Sequence, residues 1–183
     1  LLAARLADRD LDIAICATPG VDPSNMAPHP LVRDPYILAV PRGTRVDDGL
    51  DALSGLSFLR RDMDQVMGQQ IEAYLGRAGL NPPQRFEIDS NQSISALVAS
   101  GNGWTITTPL SMLRAGRFAG GIDVHPLPGD PIARNIVLYA SGDWTGPIPD
   151  QIATLARELI ETHFIEPGLE RMPWLGESFA LLA

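Results

Sequence analysis

Residues Ser90–Pro109 read SNQSISALVASGNGWTITTP, and the fold is decided in this stretch. Ile94, Leu97 and Val98 recur at helical spacing and predict one buried helix face. Ser90 or Asn91 is placed to cap that helix, since a short polar side chain there accepts from an unpaired N–H. Gly101 and Gly103 stop it. The β-branched run WTITT, Trp104–Thr108, then reads as a strand that Pro109 ends. The unit is a helix start, a glycine turn and a strand. It holds no acid–base pair, no metal cluster and no phosphate loop.

Upstream, QRFEID (Gln84–Asp89) alternates like a strand. Asp62 and Gln65 have capping-box spacing, which predicts a helix over about Met63–Arg77. Its stripe is Ile71, Tyr74, Leu75 and Ala78, and Gly79 is its stop. Leu56–Arg60, Tyr36–Pro41 and the apolar run Asp12–Ala17 read as strands. Thr18–Pro30 carries four prolines and is expected to be loop. Leu2, Ala3, Leu6 and Ala7 share a helix face. Downstream, a short helix is expected over Leu110–Ala115, with strands at Ile122–Leu127 and Arg134–Ala140. A long helix follows over Pro149–Phe164, with Ile152, Leu155, Leu159 and Ile160 on one face. The last residues, around Trp174, read as irregular or as a short docked turn.

Strands alternate with helices, so the expected class is α/β with mostly parallel strands. In such sheets ligands sit beyond the carboxyl ends of strands, against helix N-termini. Leu59–Gln65 and Asp89–Ser93 are the joins of that kind, and their backbone N–H groups favour an anion.

Composition limits the partners. With 14 Lys+Arg against 22 Asp+Glu the net charge is −8, which disfavours nucleic-acid binding by this surface. No apolar run is long enough to span a bilayer, so no membrane partner is expected. The start, LLAARLADRD, lacks a basic residue before a pure apolar centre and is no signal peptide. It opens without Met in mid-helix pattern, and reads as a piece of a longer chain. Cys16, the one cysteine, cannot form an internal disulfide, which fits a reduced, cytoplasmic setting.

Five segments occur in a recognisable order: RDLDIAI (Arg9–Ile15), VRDPYILAVPRG (Val32–Gly43), AGL (Ala78–Leu80), LVASGNGWTITTPLSML (Leu97–Leu113) and HPLPGDPIARNIVLYA (His125–Ala140). Together they resemble the effector-binding domain of a LysR-type transcriptional regulator, related in fold to type-two periplasmic binding proteins. The resemblance implies two α/β lobes joined by crossover strands. Lobe one would comprise residues 1–30 and 122–183, incomplete at its N-terminus, and lobe two residues 31–121. It implies a metabolite in the cleft, a homodimer or homotetramer, and promoter DNA held by a helix-turn-helix upstream of this chain. The turn GNGWTITTP has one residue more before its proline than the commonest family form, and Trp104 stands where a small aliphatic is usual.

Nine residues are candidates for ligand contact. Arg60 and Arg61 follow a buried strand, and either guanidinium suits a carboxylate. The competing reading leaves them on the surface or pairs them with Asp62 or Asp64. Gln65 and Met67 lie in the first helical turn, where Gln65 has the rival capping role. Of Ser90, Asn91 and Gln92 one must cap, and the resemblance turns the others, Asn91 first, to the ligand. Thr107 and Thr108 offer hydroxyls, although threonines also simply suit strands. Trp104 suits an aromatic ligand or the core.

Cys16 lacks the cation or helix start of a sensor thiol and reads as a small core residue. His29, His125 and His163 have no metal-ligand spacing and read as surface or loop residues. No serine has a nucleophile-elbow context. No catalytic residue, metal or cofactor is therefore expected, and the chain is read as a non-enzymatic sensing domain for a small carboxylate. The first alternative is a periplasmic solute-binding protein of a transporter, which would need a signal peptide upstream. The second is an α/β enzyme with carboxylates paired only by the fold.

Overall fold

The computed structural model describes residues 5, 10–18, 26–47, 49–83, 86–142 and 146–182. They fall into two compact units, Leu1–Asp34 with Ala133–Ala183 and Pro35–Ile132. The expected N-terminal helix face of Leu2, Ala3, Leu6 and Ala7 lies outside the described residues. The unit borders differ from the expected lobe borders. Residues 122–132 belong with the second unit because their strand pairs there along its whole length.

In the first unit, strands β1 (Ile13–Ala17), β2 (Met26–Pro35), β8 (Ala133–Ser141) and β9 (Ala180–Leu181) form one sheet in the order β1-β8-β2-β9. β1 runs antiparallel to β8, from Ile13 opposite Ala140 to Ala17 opposite Ile136. Ala14, Val137 and Tyr139 are buried together on one face, with Leu11, Cys16 and Met26 packed against them. β2 corrects the reading of Thr18–Pro30 as loop, for its last five residues are strand. Pro28 and Pro30 are two apart, so both missing N–H groups lie on one edge of the strand and the other edge keeps its donors. The short partner β9 needs only Val32 and Arg33.

The long helix at the C-terminal end covers Ile148–Ile160, followed by a wider π-type turn over Glu161–Ile165 and a helix over Glu166–Arg171. The final segment docks: Leu175 and Phe179 are buried, although Trp174 itself is exposed.

The second unit is built on β3 (Ile37–Pro41), β4 (Leu59–Arg61), β5 (Phe86–Ile88), β6 (Thr105–Thr107) and β7 (Ile122–Pro126). β4 and β5 are parallel, and Phe58 bridges Trp104 in parallel at the start of β6. β3 lies between β6 and β7 and opposes both. The expectation of mostly parallel pairing is thus corrected. It rested on the alternation of strands with helices, which does not fix which strands are neighbours. Here β6 and β7 share a direction but β3 is inserted between them. The close Phe58–Trp104 approach requires Gly103, where a Cβ would lie 2.3 Å from the Ser57 carbonyl oxygen.

Three helices follow three of these strands: α1 (Val66–Arg77), α2 (Asn91–Ala99) and α3 (Pro109–Arg114). The core joins Leu38, Val40 and Ile106 of the strands to Met67, Ile71, Tyr74 and Leu75 of α1, with Phe58 and Trp104. Gly79 ends α1 in the left-handed region, at φ 69°, as its place in the sequence requires.

Candidate functional site

Because β4 and β5 run in parallel, with Arg61 beside Ile88, their following joins are neighbours. The turn after β4 is tied to the end of β5 by three bonds. The Asp62 N–H donates to the Ile88 carbonyl at 3.3 Å, the Met63 N–H to Glu87 Oε1 at 3.1 Å, and Gln65 Nε2 to the Asp89 carbonyl at 3.4 Å. The predicted Asp62–Gln65 capping box is not formed. Asp62 Oδ1 instead accepts the Asp64 N–H at 2.8 Å, making a turn that delays the helix to Val66, and Gln65 caps without a side-chain bond. Gly68 allows this turn, since a Cβ there would stand 2.2 Å from the Asp62 carbonyl oxygen.

The second join keeps its predicted form. Ser90 is extended, with φ −86° and ψ 117°, and its hydroxyl accepts the Ser93 N–H. This leaves Asn91 and Gln92 as the first helical residues. Asn91 Oδ1 accepts from Arg61 Nη2 at 2.8 Å, and Asn91 Nδ2 donates to the Ser111 carbonyl at 2.8 Å. Gln92 Nε2 reaches the Arg114 carbonyl at 3.2 Å. Thr108, fully buried, caps α3 by accepting the Ser111 N–H and donates to Ser111 Oγ at 3.2 Å. Arg61, Asn91, Ser111 and Thr108 therefore connect the ends of β4, β5 and β6 through the starts of the helices that follow. Thr107 is buried as well, at the end of β6.

Arg61 is 5% exposed, which removes the reading of it as a surface charge. A guanidinium is always charged, and such burial requires hydrogen-bonded or ionic partners. Its neighbour Arg60 points elsewhere, because successive strand residues face opposite sides. Arg60 Nε and Nη2 bond both oxygens of Glu72 on α1, and Nη1 donates to the Pro82 carbonyl at 3.2 Å. Its guanidinium carbon lies 5.6 Å from the centre of the Phe58 ring. Arg60 is thus occupied in holding α1 and the loop after it. Met67 is buried in the core with Ile71 and Tyr74. Of the candidates, the structure gathers Arg61, Gln65, Ser90, Asn91, Gln92 and Thr108 at the joins, and separates Arg60 and Met67 from them. Ser111 had no signal of its own: its bond to Asn91 is made by a backbone carbonyl, which every residue carries.

Trp104 takes its core role, its ring tilted against Phe58 at a centroid distance of 4.6 Å. It also borders a hollow of about 230 Å³ lined with Leu50, Leu53, Leu56 and Leu80. The sequence did not single this hollow out. In the first unit Cys16 is half-buried, and burial raises its thiol above the ordinary range. His29 is a half-buried strand residue paired with Asp150 at 3.1 Å, and His125 a half-buried residue of β7, neither being surface or loop. No group of three His, Cys, Asp or Glu side chains suited to a metal occurs among the described residues.

A two-unit α/β chain that gathers helix starts, polar capping residues and a buried arginine at its strand ends has the organisation in which such sheets bind ligands. The LysR substrate binding domain model matches residues 1–147, and the chain belongs to that family. Among curated protein sequences there is no significant match. Solved structures share the fold. The regulatory domain of Synechocystis PCC6803 CcmR, in complex with 2-PG, aligns with a TM-score of 0.71 at 16% identity, covering 86% of this chain and 77% of that one. The effector-binding domain of QuiR in complex with shikimate aligns at 0.67 and 16% identity, covering 89% and 78%. A mutant of Corynebacterium glutamicum OxyR aligns at 0.70 and 24% identity, covering 88% of this chain and 52% of that one. The chain therefore spans about half the length of that OxyR. The family is one of effector-sensing domains of regulators, and the transporter alternative falls with that membership.

Proposed function

We propose that the chain senses a small metabolite carrying a negative charge, with a carboxylate as the preferred group, and that it catalyses no reaction. The observation that carries this reading is the linkage from Arg61 to Asn91 to Ser111, where a buried cation stands among the starts of α1 and α2. Helix N-termini carry partial positive charge, and an arginine fork gives two parallel bonds to a carboxylate. Gln65 and Gln92 supply further polar contacts, while Ser90 and the buried Thr108 hold the helix starts in place. The shikimate and 2-PG of the QuiR and CcmR structures agree with an effector of this class.

Signalling on this reading is a population shift. Ligand selects one arrangement of the domain, and the change is passed to promoter DNA through a segment outside this sequence. The setting is cytoplasmic. The domain self-associates as a homodimer or a homotetramer. An apolar stripe supports self-association: Ile148, Ile152, Leu155 and Leu159 are all exposed on one face of the Ile148–Ile160 helix, Leu155 by 61%.

The test is thermal unfolding of the chain with a panel of mono- and dicarboxylates and inorganic phosphate. At least one acid should raise the midpoint of the wild type in a concentration-dependent way and fail to raise that of Arg61→Met. Equal stabilisation of both proteins would refute the role of Arg61. No stabilisation by any acid would refute the carboxylate class.

A further inference from the structure

The hollow beside Trp104 has features of a built site and uses none of the residues assigned to the anion. Its volume is about 230 Å³. An apolar cavity of ~150 Å³ is known to hold benzene, so a substituted ring fits this one. Its lining divides by exposure. Leu50, Leu53 and Trp104 are buried and form the floor, with Leu56 and Leu80 half-buried on the walls. Asp51, Ser54, Asn81 and Pro83 are exposed and form the rim. The rim holds a carboxylate, a hydroxyl and an amide, and among the described residues no arginine lines the hollow. An anion entering here would meet the Asp51 carboxylate at the rim.

The walls are held from behind. Arg60 bonds the Pro82 carbonyl on one side and Glu72 of α1 on the other, and lies over Phe58, which packs on Trp104. The Leu80–Pro83 wall is thereby fixed to α1 and to the aromatic pair. A hollow braced in this way exists before its occupant arrives, which removes the ordering penalty on binding. It borders Trp104 at the start of β6, whereas Thr107 and Thr108 of the anion site stand at that strand's end.

We propose that this hollow is a second ligand site, taking a small aromatic molecule that carries a hydrogen-bond donor and no negative charge. Its ring lies on the Leu50, Leu53 and Trp104 floor, and its hydrogen-bond donor meets Asp51. Binding is weak for so few atoms, with a Kd on the order of 1 mM.

The test uses the whole chain and three probes of like size: benzyl alcohol, benzylamine and benzoate. Trp104 ring resonances are followed by NMR, assigned with Trp104→Phe. Benzyl alcohol should shift them saturably and show nuclear Overhauser contacts to the Leu50, Leu53 and Leu80 methyl groups. Benzoate should bind at least about tenfold more weakly. Leu80→Phe, which fills the hollow, should abolish the shift, and Leu80→Met should retain it. The methyl contacts test the site even where Leu80→Phe does not fold. Benzoate binding as tightly as benzyl alcohol overturns the proposal, whereas tighter binding of benzylamine than of benzoate supports it. Absence of the methyl contacts at saturating benzyl alcohol also overturns it.

Discussion

Arg60 and Arg61 are adjacent in sequence and opposite in use. Nothing in the pair of letters decides which one faces a ligand, because the answer depends on the strand's register. The structure ties Arg60 to Glu72 and Arg61 to Asn91. Replacing Arg60 with Met should therefore cost about 2–4 kcal/mol in urea unfolding, by leaving Glu72 without its cation, and should leave anion affinity unchanged. Arg61→Met should lose anion binding. The same contrast explains the fate of other candidates. Ser90 was legible as a cap because its task is local, a hydroxyl meeting an N–H three residues on. Met67 was not legible as core, since a first-turn residue points inward or outward according to where the helix begins. Cys16 gives a pH prediction at this scale. Burial raises its pKa, so the folded state favours the neutral thiol. Alkylation by iodoacetamide at pH 8 should be slower than in the urea-unfolded chain. The stability it lends is present below about pH 9 and is lost as the pH rises beyond that.

At the level of elements, the strand ends and helix starts of the second unit followed from periodicity and stop residues. Helix α2, the strand after it and the stop at Gly79 came out as read. The start of α1 did not, because an aspartate three residues before a glutamine can serve a turn as well as a helix. Only the contact between Asp62 and Gly68 shows which. Gly68→Ala should cost about 1–3 kcal/mol, since the turn must move to admit the methyl group. Gly76→Ala, on the same helix with open space around it, should stabilise by about 0.5–1 kcal/mol. Equal effects of the two substitutions in chemical denaturation would show that the Asp62 turn is not tightly packed. Strand direction was the less legible property. Alternation of strand and helix predicts crossovers, but it cannot show that β3 is inserted between β6 and β7.

For the molecule as a whole, the two-unit α/β organisation was legible from the order of five segments rather than from any one of them. The assignment of residues 122–132 was not, because it depends on a pairing with Ile37–Pro41 more than eighty residues earlier. The exposed stripe on the Ile148–Ile160 helix was visible as apolar periodicity, yet periodicity alone could not show that it faces solvent. Sedimentation velocity should find a dimer at tens of micromolar, and Leu155→Glu with Leu159→Glu should yield monomer with unchanged helical content. The claim on which the account rests is that Arg61 receives the effector's negative group among the starts of two helices. The most direct measurement is the Arg61 side-chain ¹⁵Nε resonance during titration with the acid that best stabilises the chain. The account predicts a saturable shift, with the Asn91 side-chain amide and the Ser93 backbone amide following the same isotherm. A stationary Arg61 resonance at full occupancy, with another surface responding instead, would contradict it.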